Sequence, residues 1–292
     1  MDYFVSSLTF IAIYGVSYGM VIFLISVGLV ITMGLMRVIN LAHGAFAAIG
    51  GYVCTALVSS YQLNFYQAAI VATLIVAALS LIIERGIYRQ IYRKSELDQV
   101  LLTIGLAFIT VASLNFLFGP NVVPSQLPPS LSGTVAMLGR DVQMYRLFVV
   151  AVGLVVVAAL WVLFNWTMFG ASLRAAVDNP SMAQAAGIDV SRLFTIAFAL
   201  GSGLAALGGA VGYGMLPLEP LYPFKYLIII MIVVALSGFG NMRSAAAVSI
   251  AVGVVDTAGR YFFPTYGAFI IYIFVILYLL AQIEGSPLRR KT

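Results

Sequence analysis

The stretch YFVSSLTFIAIYGVSYGMVIFLISVGLVITMGLM, from Tyr3 to Met36, carries no formal charge, and Arg37 closes it. A helix needs about 20 consecutive apolar residues to cross the hydrocarbon core of a bilayer, so this run is long enough to span one. It is too long for the apolar region of a secretory signal, and no basic flank precedes it. It reads as a membrane segment.

Outward from it, the run Val38 to Ile83 contains only the neutral-leaning His43 and has room for two segments, broken near Ser59-Ser60-Tyr61-Gln62-Leu63-Asn64. A basic loop is expected over 84–94 (ERGIYRQIYRK). Further spans are expected from about Gln99 to Phe118, Leu147 to Trp166, Leu193 to Leu216, Ala245 to Gly259 and Tyr266 to Ile283. Tyr226 to Leu236 is apolar but too short to cross upright, and a glycine-rich break, Ser237-Gly238-Phe239-Gly240-Asn241-Met242-Arg243, follows it. Pro120, Pro124, Pro128 and Pro129 make the connection after Phe118 non-helical. Segments of this length read as helices, since barrel strands run to about ten residues of alternating polarity. The expected fold is all-α: a polytopic transmembrane bundle of about 8–10 spans, one membrane domain over 1–292.

Composition agrees. Of 292 residues 62% are hydrophobic and 9% charged, against about 25% charged in soluble domains. Mean hydropathy is +1.07. That excludes a soluble domain, and disorder as well, which requires few aliphatics and much charge. The 15 Lys and Arg outnumber the 10 Asp and Glu, and pI is near 9.3. The excess sits in short loops between apolar runs, where it orients a membrane protein rather than binding nucleic acid. With 84–94, 167–192 and the tail inside, that side holds Arg37, Arg85, Arg89, Arg93, Lys94, Arg174, Arg192, Arg243, Arg289, Arg290 and Lys291. The outside holds only Arg140, Arg146, Lys225 and Arg260. Nine crossings then put the N-terminus outside and the C-terminus inside.

The short, glycine-interrupted segments near 38–59 and 226–259 occupy matching places in the two halves, and either could be re-entrant. Such pairing points to an inverted repeat around a central path; the alternative is that glycines let helices pack closely. Enzyme chemistry finds no support. No Gly-Lys pair exists for a phosphate loop. Gly201-Ser202-Gly203 follows Leu200 instead of completing a hydrolase elbow, and His43 is the only histidine, so a three-histidine zinc site is impossible. Cys54, the single cysteine, reads as a small packing residue. No cofactor or metal is expected.

The insert 167–192 is the most informative stretch. Ala171 to Asp178 suits a short helix; Asn179 serves as N-cap with Pro180 at the first helical position, and Gly187 stops the second helix. Helices of about two turns are marginal alone and need a surface to rest on. Small residues Ala175, Ala176, Ala183, Ala185 and Ala186 could fit a groove in a partner, or the segment is a connector packed on its own helix ends.

This insert resembles the cytoplasmic coupling segment of bacterial ABC importer permeases of the branched-chain amino acid family. Arg37-Val38-Ile39-Asn40-Leu41-Ala42-His43-Gly44-Ala45-Phe46 resembles that family's N-x-A-H-G signature, and Thr103-Ile104-Gly105 its T-I-G segment. The span layout agrees over nearly the whole chain, with the H-type subunit most similar. Arg243 departs from the pattern, standing where the family usually has a small or apolar uncharged residue. The resemblance implies a multi-pass permease of the bacterial inner (plasma) membrane. Its partners would be a second related permease, two cytoplasmic ATP-binding subunits and a periplasmic or lipid-anchored solute-binding protein. Cargo would be leucine, isoleucine and valine, with urea, amides and aromatic acids as the alternatives. Arg174, Ala175, Asp178, Asn179, Pro180, Ala183, Gly187 and Ile188 would then contact or shape the ATPase dock. Asn40, His43, Gly44, Gly238, Gly240 and Asn241 are candidates for the translocation path.

Several alternatives stay open on the residues themselves. Asn40 and His43, one helical turn apart, either line a path or tie broken-helix backbone to its neighbours. Arg174 and Asp178, at i and i+4, either pair with each other or reach a partner. Asp256 and Arg260 form a structural ion pair or a substrate contact near the outer end of a span. The outer loop 119–145 and the turn Pro217-Leu218-Glu219-Pro220 could receive a solute receptor. Tyr222, Tyr226, Tyr261 and Tyr272 read as interface anchors. The competing class is an ion-coupled secondary transporter, which would need ionisable residues deep in most spans; the long charge-free runs oppose it.

Overall fold

The structure, a computed structural model, describes residues 2–36, 40–92, 94–125, 127–137, 140–238 and 240–285, and the side chains of all of these except 2–6, 35, 36 and 282–285. Arg37, Val38, Ile39, Arg93, Phe239, Arg289, Arg290 and Lys291, used in the sequence reading, lie outside the described residues.

Among the described residues the regular structure is helical apart from one hairpin and an isolated bridge between Val123 and Leu218. Helix α1 (Asp2–Met36) leads to α2 (His43–Ser59) and α3 (Phe65–Ile83). A five-residue π turn (Glu84–Tyr88) and α4 (Arg89–Ile91) prolong α3, and α5 (Glu96–Phe118) follows. The outer loop carries β1 (Thr134–Met137) and β2 (Arg140–Gln143), antiparallel with Thr134 opposite Gln143. Then come α6 (Met144–Trp166), α7 (Met168–Asp178), α8 (Pro180–Ala185) and α9 (Val190–Gly212). The last elements are α10 (Tyr222–Lys225), α11 (Leu227–Ser237), α12 (Met242–Phe262) and α13 (Gly267–Gly285).

Among the described residues five helices are long and apolar enough to cross a membrane: Ser7–Gly34, Phe65–Ile91, Glu96–Phe118, Met144–Trp166 and Val190–Gly212. Three shorter apolar helices, His43–Ser59, Tyr222–Ser237 and Gly267–Ala281, accompany them, and α12 is long but bears Arg243, Asp256 and Arg260. The bundle is a multi-pass membrane fold.

Local signals place the helix ends. Asn64 Oδ1 accepts from the Tyr66 N–H at 3.1 Å to start α3, and Ser95 Oγ from Asp98 N–H at 3.2 Å to start α5. The 84–94 stretch is not the loop its charge suggests. Glu84 is buried inside the helical extension, its Oε1 accepting from Tyr92 Oη–H and its Oε2 from Thr195 Oγ1–H, each at 2.8 Å. Charge marks a loop only when it must stay in water; here α9 supplies the compensating donor. Burial and this hydrogen bond also raise the pKa of Tyr92, which keeps the phenol protonated and donating.

Helices α1 and α9 form the centre, with 83% and 67% of their spanning windows buried, against 22–28% for α3, α5 and α6. Helix α1 packs on α6, α9, α11 and α12, and α9 also on α2 and α3. Lipid tails are as apolar as leucine, so helices inside a membrane associate by close backbone approach at small residues. A Cβ on Gly28 would overlap the Gly201 carbonyl, and one on Gly209 the Ala47 carbonyl. The backbones meet where side chains are missing, so these glycines of α1 and α9 serve packing.

The two ends of the bundle carry different chemistry. At one, Arg89 donates to Ser191 Oγ, and Arg243 lies 5.6 Å from the Trp161 ring centre. At the other, Arg146 Nη1 donates to Ser17 Oγ at 3.2 Å, and Arg140 stands 5.3 Å over Phe10. The first end is the one that holds α7 and α8.

Candidate functional site

The site is built where α6 gives way to α7. Thr167 is a one-residue hinge: its Oγ1 accepts from the Gly170 N–H at 3.3 Å while its hydroxyl donates to the Leu163 carbonyl at 2.5 Å. Helix α7 therefore starts three residues before the sequence suggested and folds back tightly on α6. A Cβ on Gly170 would collide with the Phe164 carbonyl. Asn179 Oδ1 accepts from Met182 N–H at 3.0 Å, Pro180 occupies the first turn of α8, and Gly187 leaves it at φ +86°. Cap, proline and glycine stand where the sequence places them.

The segment has two faces. Leu173, Ala176 and Ala183 are buried, so Ala176 and Ala183 pack inward and are not part of the exposed face. Ala175, Asp178, Asn179, Pro180 and Gly187 are exposed, and Ile188 is half-buried. Met182 joins the exposed face at 68%; the sequence reading overlooked it because a lone apolar side chain in a polar insert has no periodic signal. Among the described residues no ion pair joins Arg174 to Asp178. Arg174 Nη1 instead donates to the Phe164 carbonyl, an acceptor left over at the end of α6.

Arg174 and Asp178 also line a cavity of about 600 Å³ with Asn165, Trp161 and Phe164 of α6, Phe23, Ile31 and Gly34 of α1, and Gly240, Asn241, Met242 and Arg243. The structure thus joins two groups that the sequence read separately, the insert and the second glycine-rich break. That break is held open by backbone geometry. Gly238 and Gly240 have φ of +75° and +77°, a region hostile to side chains, and Asn241 Oδ1 accepts from Ser244 N–H at 3.2 Å to restart the helix. Gly240 N–H donates to the Val30 carbonyl at 3.2 Å.

The first break docks on α1 as well, on another face. His43 Nε2 lies 3.1 Å from the Ile25 carbonyl; a carbonyl only accepts, so Nε2 carries the proton. Ile25 and Val30 are five residues apart, about 140° round a helix. Asn40 Oδ1 accepts from Tyr88 Oη–H at 2.7 Å and from Ala42 N–H at 3.1 Å. Leu41 N–H donates to Thr103 Oγ1 at 3.2 Å. Asn40 and His43 are fully buried and tie broken-helix backbone to α1, α5 and the π turn; neither lines the 600 Å³ cavity. Gly44 faces the Pro223 carbonyl, which a Cβ would approach to 2.7 Å. Tyr88 is the member of this network that the sequence does not single out, since its partner Asn40 lies 48 positions away.

A second cavity, about 670 Å³, opens at the opposite end between α1, α6, α11, α12 and α13. Asp256 and Arg260 lie in its wall, joined at 2.8 Å. Among the described residues no group of three or more His, Cys, Asp or Glu converges to hold a metal, and Cys54 is buried.

The family model described as "Branched-chain amino acid transport system / permease component" matches residues 11–279. The chain is 27% identical over 285 residues to the probable branched-chain amino acid transport permease protein LivH of Methanocaldococcus jannaschii, covering 92% of this chain and 89% of that one. It is 23% identical to the high-affinity branched-chain amino acid transport system permease protein LivH of Escherichia coli, and equally to BraD of Pseudomonas aeruginosa, over 94% of both chains in each case. No solved structure matches.

Proposed function

From a chain that belongs to the branched-chain amino acid transport permease family, a multi-pass permease subunit of an ABC importer in the inner membrane, we propose that its cargo is leucine, isoleucine and valine. The relatives' names support that cargo. Importers of this class work with ATP-binding and solute-binding partners. The finer reading is one further related permease, two ATP-binding subunits and one periplasmic or lipid-anchored receptor, with no cofactor on this chain and no catalysis by it.

The observation that carries the mechanism is that α7 forms one wall of the inner cavity while the break at 240–243 forms another. Within a single permease domain, 167–192 is the coupling insert. Its exposed face, Ala175, Asp178, Asn179, Pro180 and Gly187 with Ile188 at the edge, seats an ATPase. Motion of the dock passes through Gly170, packed against the Phe164 carbonyl, and Arg174, hydrogen-bonded to it, into α6, and across the cavity to Gly240 and Asn241. A docked ATPase shifts the equilibrium only through contacts that differ between the two states, and a short helix leaning on a cavity has room to supply them. Asn40, His43 and Gly44 hold the first break against α1 while the second moves.

The test is Arg174→Gln with Asp178→Asn in the assembled importer. Membrane insertion should persist while ATPase co-purification weakens and ATP-driven leucine uptake falls at least tenfold. Unchanged assembly and uptake would remove the dock from this segment. Binding of leucine, urea and phenylacetate to the cognate receptor separates the cargo readings.

A further inference from the structure

The outer cavity holds an arrangement that a structural ion pair leaves unexplained. The Asp256 side chain is 5% exposed, and Arg260 engages only its Oδ2, through Nε at 2.8 Å. Its Oδ1 is buried without a hydrogen-bond partner among the described residues. In the same wall the Arg146 guanidinium sits 3.8 Å over the Tyr14 ring, Nη1 donates to Ser17 Oγ, and Nε is buried with no partner among the described residues. The wall of one cavity therefore holds, just beneath its surface, an unpaired anionic acceptor and an unpaired cationic donor. Leaving such groups unsatisfied is costly, and an ionisable residue retained at membrane depth marks a functional site by default. The cavity of about 670 Å³ lies within the roughly 300–1,000 Å³ of small-molecule sites. Tyr18, Tyr226 and Tyr272 supply apolar ring faces in its wall.

We propose that this cavity is an outer receiving site for the zwitterionic backbone of an α-amino acid, with the Asp256 carboxylate and the Arg146 guanidinium turning toward the ligand so that Asp256 Oδ1 accepts from the ammonium and Arg146 Nε donates to the carboxylate. An aliphatic side chain lies against the tyrosine faces. Arg260, whose side chain is 59% exposed, binds the other carboxylate oxygen, Oδ2, from the rim. The inference deepens the amino-acid cargo reading and rests on it. It places selectivity for the charged backbone on the permease itself, downstream of any receptor.

The probe is a leucine analogue bearing a diazirine on its side chain, photolysed with the complete importer in lipid nanodiscs, and an otherwise identical acid lacking the amine. Labelled peptides should contain Tyr18 or Tyr226, and excess leucine should remove the label. Asp256→Asn keeps size and shape and should cut labelling by the amino acid at least fivefold, with labelling by the amine-free acid unchanged. If Asp256→Asn does not assemble, Arg146→Lys, which keeps a cation near Tyr14 but removes Nε, should lower labelling by both probes. Leucine uptake by the wild type with label only outside the cavity, or label insensitive to these variants, overturns this site alone. Absence of ATP-driven uptake of any amino acid overturns the cargo reading and this site together.

Discussion

The phenolic hydroxyl of Tyr88 donates to Asn40 Oδ1 at 2.7 Å, and both side chains are fully buried. One residue belongs to the π turn that prolongs α3, the other to the segment entering α2, so a single hydrogen bond joins two irregular pieces of backbone inside the bundle. The Tyr88 ring also lies 4.8 Å from Phe198 of α9, which fixes the direction of the hydroxyl.

Tyr88→Phe keeps that packing and removes the donor. Hydrogen bonds between membrane helices contribute about 0.6–1.7 kcal/mol, so the variant should insert normally and melt a few degrees lower in detergent. A melting curve equal to wild type would mean that Asn40 finds another donor.

Asn179→Ala deletes the cap of a six-residue helix, at a cost of about 1 kcal/mol. So short a helix has no margin, and ATP-driven uptake should fall severalfold with normal membrane levels. Asn179→Asp retains the acceptor and should restore most of it. Equal loss in both variants would point to the amide making a partner contact instead of capping.

The shape of the centre predicts a contrast between glycines. Gly209→Val forces a side chain into the Ala47 backbone. It should cost more than the roughly 1–3 kcal/mol of ordinary overpacking, because backbone cannot repack, and the protein should vanish from the membrane fraction. At Gly86 a methyl group would meet nothing within 4 Å, and Gly86→Ala should express at wild-type levels.

Arg243 rests 5.6 Å from the Trp161 ring centre. Cation–π pairs contribute about 0.5–2 kcal/mol. Arg243→Gln and Trp161→Leu should each destabilise, and the double variant should be no worse than the more damaging single one. Additive losses would dissociate the two residues.

Cys54 is fully buried and should stay unreactive, which makes the wild-type chain a ready background for labelling. In intact spheroplasts Met182→Cys should resist a membrane-impermeant maleimide and react only after permeabilisation. Labelling from outside would invert the orientation drawn from the basic residues.

Much was legible in the residues because the bilayer imposes simple rules. Length and apolarity announce spans wherever water cannot reach the backbone, and the caps of α8 were readable because Asn179, Pro180 and Gly187 act on their immediate neighbours. The 84–94 stretch misled for the opposite reason. Its charges are local, but the donors that bury Glu84 come from Tyr92 and, across the bundle, Thr195. The hairpin β1–β2 was invisible as well: four-residue strands whose pairing is a property of two segments together carry little pattern of their own.

The sequence alone therefore determined the solvent of this protein, its helical class and the caps of the 167–192 insert, all consequences of local chemistry. Only the tertiary structure decided that α7 and the 240–243 break share one cavity, that Asn40 and His43 face inward to Tyr88 and Ile25, and that Asp256 and Arg146 line the other one. Those relations join residues tens to more than a hundred positions apart, and nothing short of packing brings such groups to the same wall.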